Sequence, residues 1–180
     1  ANKNQTSLRT VTVGGQVTNC TTISTSGTYT QMNAINMTNY GGSCITITAS
    51  DVVYNGQNYL LAGPTNGPTN EQPAMTVQYA RNVTLVNLNV TADNACAGSC
   101  FGYGIYLTYL NLSTVANSSV GASLTGMDLN YVTNMTFYNI SFRNSNVDEE
   151  LATTNSTFTF LDFYNGRIDL DAGGINNLFT

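Results

Sequence analysis

A five-residue pattern returns along this chain: a small residue or cysteine, then apolar, polar, apolar, polar. It stands as Cys44-Ile-Thr-Ile-Thr48, Ala74-Met-Thr-Val-Gln78, Gly104-Ile-Tyr-Leu-Thr108 and Gly126-Met-Asp-Leu-Asn130. Strict alternation buries one face of a strand and wets the other. The first apolar residues, Ile45, Met75, Ile105 and Met127, lie 30, 30 and 22 residues apart, so some repeats carry an inserted loop. After each strand an Asx residue precedes an apolar one, in Asp51-Val52, Asn82-Val83, Asn111-Leu112 and Asn134-Met135, and opens a second strand. A third follows in Asn87-Leu-Asn-Val90 and Asn139-Ile-Ser-Phe142. Three short strands per repeat, joined by Asx turns, predict an all-β coil, and the absence of any 3.6-residue period excludes helical repeats.

Charge decides what such a coil can bind. Only 8% of the 180 residues are charged, and the formal net charge is −5 with a pI near 4.2. Five basic residues form no stripe that could neutralise phosphates, so nucleic acid is excluded as a partner, and anionic membrane surfaces are disfavoured. No His is present, which removes the commonest general base and the commonest transition-metal ligand, and no cofactor is expected. No apolar run is long enough for a membrane span. The chain opens at Ala1 without a basic, apolar leader and reads as a mature, processed product.

Four cysteines allow three pairings. Spacing favours a local ring between Cys96 and Cys100, where Gly98 lets the chain turn back, and this leaves Cys20 for Cys44; buried free thiols are the alternative. Asn-x-Ser/Thr sequons are dense, which together with the even cysteine count points to a secreted or cell-surface protein bearing N-linked glycans. All three prolines fall in Ala62–Pro73, a surface loop.

The stretch Ser43–Gly63, preceded by Cys20-Thr-Thr-Ile and Ser26-Gly-Thr-Tyr29, resembles the opening of secreted right-handed parallel β-helix proteins with pectate-lyase-like or periplasmic copper-binding-type repeats, common on archaeal surfaces. Asn82-Val-Thr-Leu and Gly104-Ile-Tyr-Leu are similar to the same repeats. The resemblance implies a right-handed β-helix of about six coils over residues 16–180, preceded by a strand-like arm, 1–15. A β-sandwich filament subunit is the alternative. The chain departs from catalytic members in its shortness and in lacking both His and a lyase-like cluster of acids with Lys or Arg.

Within a parallel coil, Asx residues at equivalent turns stack, each amide bonding groups that the turn leaves unpaired. Asp51, Asn82, Asn111 and Asn134 are the expected ladder. An inward Asn cannot carry a glycan, so glycosylation is expected at Asn4, Asn19, Asn36, Asn89, Asn117 and Asn155. Met75, Met127 and Met135 are expected in the core. Asp169 with Asp171 would be the nearest carboxylate pair for a glycosidase, Asp148, Glu149 and Glu150 a calcium alternative, and Tyr103, Tyr106 and Tyr109 a sugar-stacking stripe; each has an ordinary surface reading, and no catalysis is expected.

The ends matter more. No amphipathic helix caps either end, and an uncapped coil exposes strand edges and apolar core. The arm alternates Leu8, Val11 and Val13 ahead of a Gly14-Gly15 hinge. Strand addition of this arm to a second copy is heterologous and propagates. The expectation is a non-enzymatic extracellular structural protein, the repeating subunit of a surface filament or layer, with itself as partner; a carbohydrate-binding or polysaccharide-active module is the alternative.

Overall fold

A computed structural model describes residues 14–37, 42–63, 73–91, 103–121, 125–144, 146–151, 153–170 and 174–180. The described residues form strands and no helix, and every pairing between the strands is parallel. That separates the chain from the alternative β-sandwich, whose sheets are built from antiparallel neighbours.

Numbered along the chain, one sheet stacks seven strands: β2 (Thr21–Ile23), β5 (Ile45–Ile47), β8 (Met75–Arg81), β11 (Tyr103–Asn111), β13 (Thr125–Asn130), β15 (Asn146–Leu151) and β17 (Ile168–Leu170). A second sheet runs β1 (Gln16–Val17), β3 (Gly27–Gln31), β6 (Val52–Asn55), β9 (Val83–Val86), β12 (Thr114–Gly121), β14 (Thr136–Arg143), β16 (Thr157–Tyr164), β18 (Leu178–Phe179). A branch of it, β4 (Ile35–Asn36), β7 (Leu60–Ala62) and β10 (Asn89–Thr91), joins the C-terminal half of β12. β12 pairs with β9 through 114–116 and with β10 through 119–121, so it bends between two flanks at Asn117.

Parallel neighbours in one sheet need a long crossover. Here strands of the other sheet make it. The four residues that open the repeats are cross-strand partners: Ile45 pairs with Met75, Met75 with Ile105, and Ile105 with Met127. Towards the C-terminus the step falls to 21 residues, as in Phe137 to Phe158 and Phe158 to Phe179. The 30-residue steps are those containing 64–72 and 92–102, stretches outside the described residues.

The inward positions are apolar and sealed. Ile45, Met75, Ile105, Met127, Val52, Val115 and Ile140 are fully buried, and Met135 nearly so. Successive rungs place like on like, and Phe137 stacks on Phe158 (centroids 4.6 Å) and Phe158 on Phe179 (4.7 Å). One polar knot interrupts this core: the Tyr54 hydroxyl donates to Gln31 Oε1 (3.2 Å), and Gln31 Nε2 donates to the carbonyls of Asn33 and Leu60. Burial pushes the Tyr54 phenol well above its ordinary pKa. Cys20 and Cys44 are disulfide-bonded, tying β2 to β5 across a separation of 24 residues. Loop-closure entropy for that span is worth about 3 kcal/mol. Cys96 and Cys100 lie outside the described residues.

Candidate functional site

The surface is organised by its turns. At many of the described turns one or two residues take left-handed backbone angles, which Asn tolerates better than bulky residues do. The strand registers align Asp51, Asn82, Leu112, Asn134, Asn155 and Asn176 in one column, all with φ between 51° and 59°. Asn82 Nδ2 donates to Asp51 Oδ1 (2.7 Å), Asn134 to Asn111 Oδ1 (2.9 Å) and Asn176 to Asn155 Oδ1 (3.3 Å).

Two expectations are corrected here. Asn111 is not the turn residue of its rung, because Leu112 takes the left-handed position; Asn111 precedes it and still accepts from Asn134. Asn117 and Asn155, expected to stand apart from the ladder, belong to such columns. Asn117 aligns with Asn87, Asn139 and Phe160 at the bend inside the second sheet, and accepts from Asn139 Nδ2 (3.0 Å). The sequence offered this second column only as Asn87, Asn117 and Asn139 at the same 30- and 22-residue steps, and Phe160 breaks the pattern 21 residues on.

Serines complete these turns and escaped the sequence reading. A left-handed residue leaves the next N–H pointing inward, and in three cases a buried serine one rung on accepts it. Val83 N–H donates to Ser113 Oγ, Leu88 N–H to Ser118 Oγ, and Met135 N–H to Ser156 Oγ. Each hydroxyl in turn donates a hydrogen bond to a backbone carbonyl. Ser113 follows Leu112, Ser118 follows Asn117 and Ser156 follows Asn155, so a Ser after the turn residue was the available signal.

The ladder makes glycosylation testable, because the atom that carries a glycan is Nδ2. Asn117, Asn155, Asn82 and Asn134 are all exposed, so Asn82 and Asn134 are not turned inward as expected; they commit that nitrogen to the ladder, whereas Asn117 and Asn155 enter it through Oδ1. Asn19 and Asn36 are exposed; Asn89 is half-buried, with Nδ2 3.4 Å from the Asn58 carbonyl; Asn4 lies outside the described residues. Glycopeptide mass spectrometry of native protein should find Asn117 and Asn155 occupied and Asn82 and Asn134 bare. Full occupancy of Asn82 and Asn134 would contradict the ladder's role.

The acids are less dispersed than the sequence suggests. On the outward face of the seven-stranded sheet Tyr106 pairs with Asp128, Asp128 with Asp148 and Asp148 with Asp169, a column of three Asp on consecutive strands. Asp128 is 1% exposed. Asp169 forms an ion pair with Arg167. Asp171 lies outside the described residues, as do the side chains of Asp148, Glu149 and Glu150, and among the described residues no cluster of His, Cys, Asp or Glu could hold a metal ion. Sequence spacing missed Asp128 because its alignment with Asp148 and Asp169 depends on the length of each rung.

Two apolar features remain on the surface. Tyr79, Tyr109 and Tyr131 stack face to face, centroids 4.9 Å apart at each step, while Tyr103 and Tyr106 pair with each other at 6.2 Å; the expected stripe of Tyr103, Tyr106 and Tyr109 is thus divided. At the last rung an open recess is lined by Phe158, Leu161, Phe163, Ile168, Phe179 and Thr180. Phe179 and Leu178 are exposed there.

No family model and no curated protein matches this chain. Among solved structures it is similar to a candidate glycosyl hydrolase from Parabacteroides merdae, with a TM-score of 0.52 and 10% identity over 86% of this chain and 79% of that one. At that identity the likeness concerns fold alone. No helix among the described residues is long and apolar enough to cross a membrane.

Proposed function

We propose that the chain winds as one right-handed parallel β-helix and serves as a non-enzymatic, N-glycosylated extracellular subunit whose copies join end to end into a filament or layer. The parallel, in-register rungs and the solved-structure likeness support the winding. The recess at the last rung carries the functional reading. Among the described residues β18 pairs with β16 alone, and the last ring of the Phe137, Phe158, Phe179 stack is 44% exposed. An edge with unpaired N–H and C=O groups beside uncovered aromatic core is a template for another strand. A second copy supplies one in its arm, residues 1–13, whose Leu8, Val11 and Val13 would enter that recess; the arm itself lies outside the described residues. Electron microscopy of the purified full chain tests the reading: polymers are expected, and monodisperse monomers at all concentrations would count against it.

A second reading rests on a different observation. Asp128, Asp148 and Asp169 are cross-strand partners on consecutive strands, with neighbouring backbones about 4.8 Å apart, and a glycosidase needs two acids brought close together. A polysaccharide-active module would cleave a polysaccharide and lose that activity in Asp128→Asn. The structural reading expects no cleavage by the purified protein.

A further inference from the structure

Tyr79, Tyr109 and Tyr131 occupy turn positions at φ 51° to 52°, in the region that penalises large side chains. Three residues further along the same turns, Asn82 and Asn134 meet the same backbone demand with the residue suited to it. Burial does not explain the tyrosines, which are 70%, 49% and 41% exposed. Strain combined with exposed aromatic surface marks a place where folding alone did not choose the residue.

The stack has a defined beginning. Ile47 pairs with Val77 and Val52 with Val83, so residues 48–51 span in the earlier rung what 78–82 span in the next. The earlier rung is one residue shorter, and the missing position is that of a tyrosine. Among the described residues the ring face of Tyr79 that looks towards this rung therefore has no stacking counterpart, while its other face is covered by Tyr109. The same two turns carry Thr48, Ser50, whose hydroxyl accepts from Arg81 N–H (3.1 Å), Arg81, and Asn82, whose Nδ2 donates to Asp51 (2.7 Å).

We propose that this uncovered face is a stacking subsite for one ring of a neutral saccharide. An aromatic face accepts the C–H face of a pyranose, and a few hydroxyls and amides at its rim can bond the sugar's hydroxyls. Charge complementarity favours a neutral ligand, because Arg81 and Asp51 give the rim no net charge and Asp51 is already engaged by Asn82. The proposal does not depend on the assembly reading.

The experiment uses the full chain and neutral hexaoses of glucose, mannose and galactose, followed by saturation-transfer NMR and calorimetry, with self-association measured in parallel by sedimentation. Wild type should bind at least one hexaose. Tyr79→Asn should weaken that binding about tenfold, the scale of one stacking contact, with little change in Tm, since the better backbone fit of Asn offsets the lost stack on Tyr109; Tyr79→Phe should bind as wild type does. Three results would overturn the proposal: no hexaose bound by wild type; equal binding by Tyr79→Asn; or, in Tyr79→Asn, loss of self-association or of Tm with saccharide binding intact, which would make the ring a contact between copies or a structural stack.

Discussion

Phe158→Ala should lower the free energy of unfolding by about 3–5 kcal/mol, the range for a large aromatic removed from a core. Phe158 is 2% exposed and lies between two rings, Phe137 at 4.6 Å and Phe179 at 4.7 Å, each nearly parallel to it. Truncation leaves a cavity and breaks both stacks, and each stack adds about 0.5–1.5 kcal/mol beyond buried area. Among the described residues β16 pairs only with β14 and β18, so the loss should be felt locally. Hydrogen exchange should show β16 and β18 opening first while β5, β8 and β9 keep their protection. Phe160 provides the control. Two residues along the same strand, it is 66% exposed with φ 51°, in the column that Asn139 fills one rung earlier. Phe160→Asn should leave stability unchanged or raise it. Urea unfolding of both variants checks the pair, and equal losses would mean that position within the rung does not matter.

Much of the architecture is legible because it is written at short range. Alternation at Ile45, Met75, Ile105 and Met127 marks the inward face of a strand wherever it falls, and those four residues are cross-strand partners. What could not be read from local pattern is alignment across rungs, since that requires knowing each rung's length to the residue. A single-residue difference moves the turn position from Asn111 to Leu112, and likewise leaves the rung of residues 48–51 without a counterpart of Tyr79. The Asp column escaped for the same reason: Asp128, Asp148 and Asp169 are 20 and 21 residues apart, while earlier rungs step by 30. Buried serines such as Ser118 were illegible for another reason. Their role follows from a backbone N–H turned inward by the residue ahead of it in the neighbouring rung, which only the folded geometry supplies.

Deleting residues 1–13 should abolish assembly while leaving a folded monomer. The first described strand, β1, begins at Gln16, and the core residues Val17, Ile23 and Ile35 are buried among residues that the deletion retains. The arm cannot shelter Leu8, Val11 and Val13 by itself. Gly14-Gly15, expected as a hinge, is instead held against β3: the Gly15 carbonyl accepts from Thr30 N–H (2.9 Å), and a Cβ on Gly14 would collide with the Thr28 carbonyl, so any swing of the arm has to begin ahead of residue 14. Paired along the open edge of a neighbour's last rung, it would gain backbone hydrogen bonds and cover Phe179, and because donor and acceptor lie on different surfaces the contact would repeat without closing. Phe179→Asp, which places a charge in the acceptor recess, should have the same effect with the arm intact. A shorter arm that merely lacked solubility would not reproduce that match.

The most direct test is electron microscopy of three preparations at equal concentration: the full chain, the chain lacking residues 1–13, and Phe179→Asp, each first shown by circular dichroism to retain its β signature. The account predicts filaments or sheets from the full chain and isolated particles from the other two. Polymers from the truncated chain, or loss of its β signature, would contradict it by showing that the arm belongs to its own subunit.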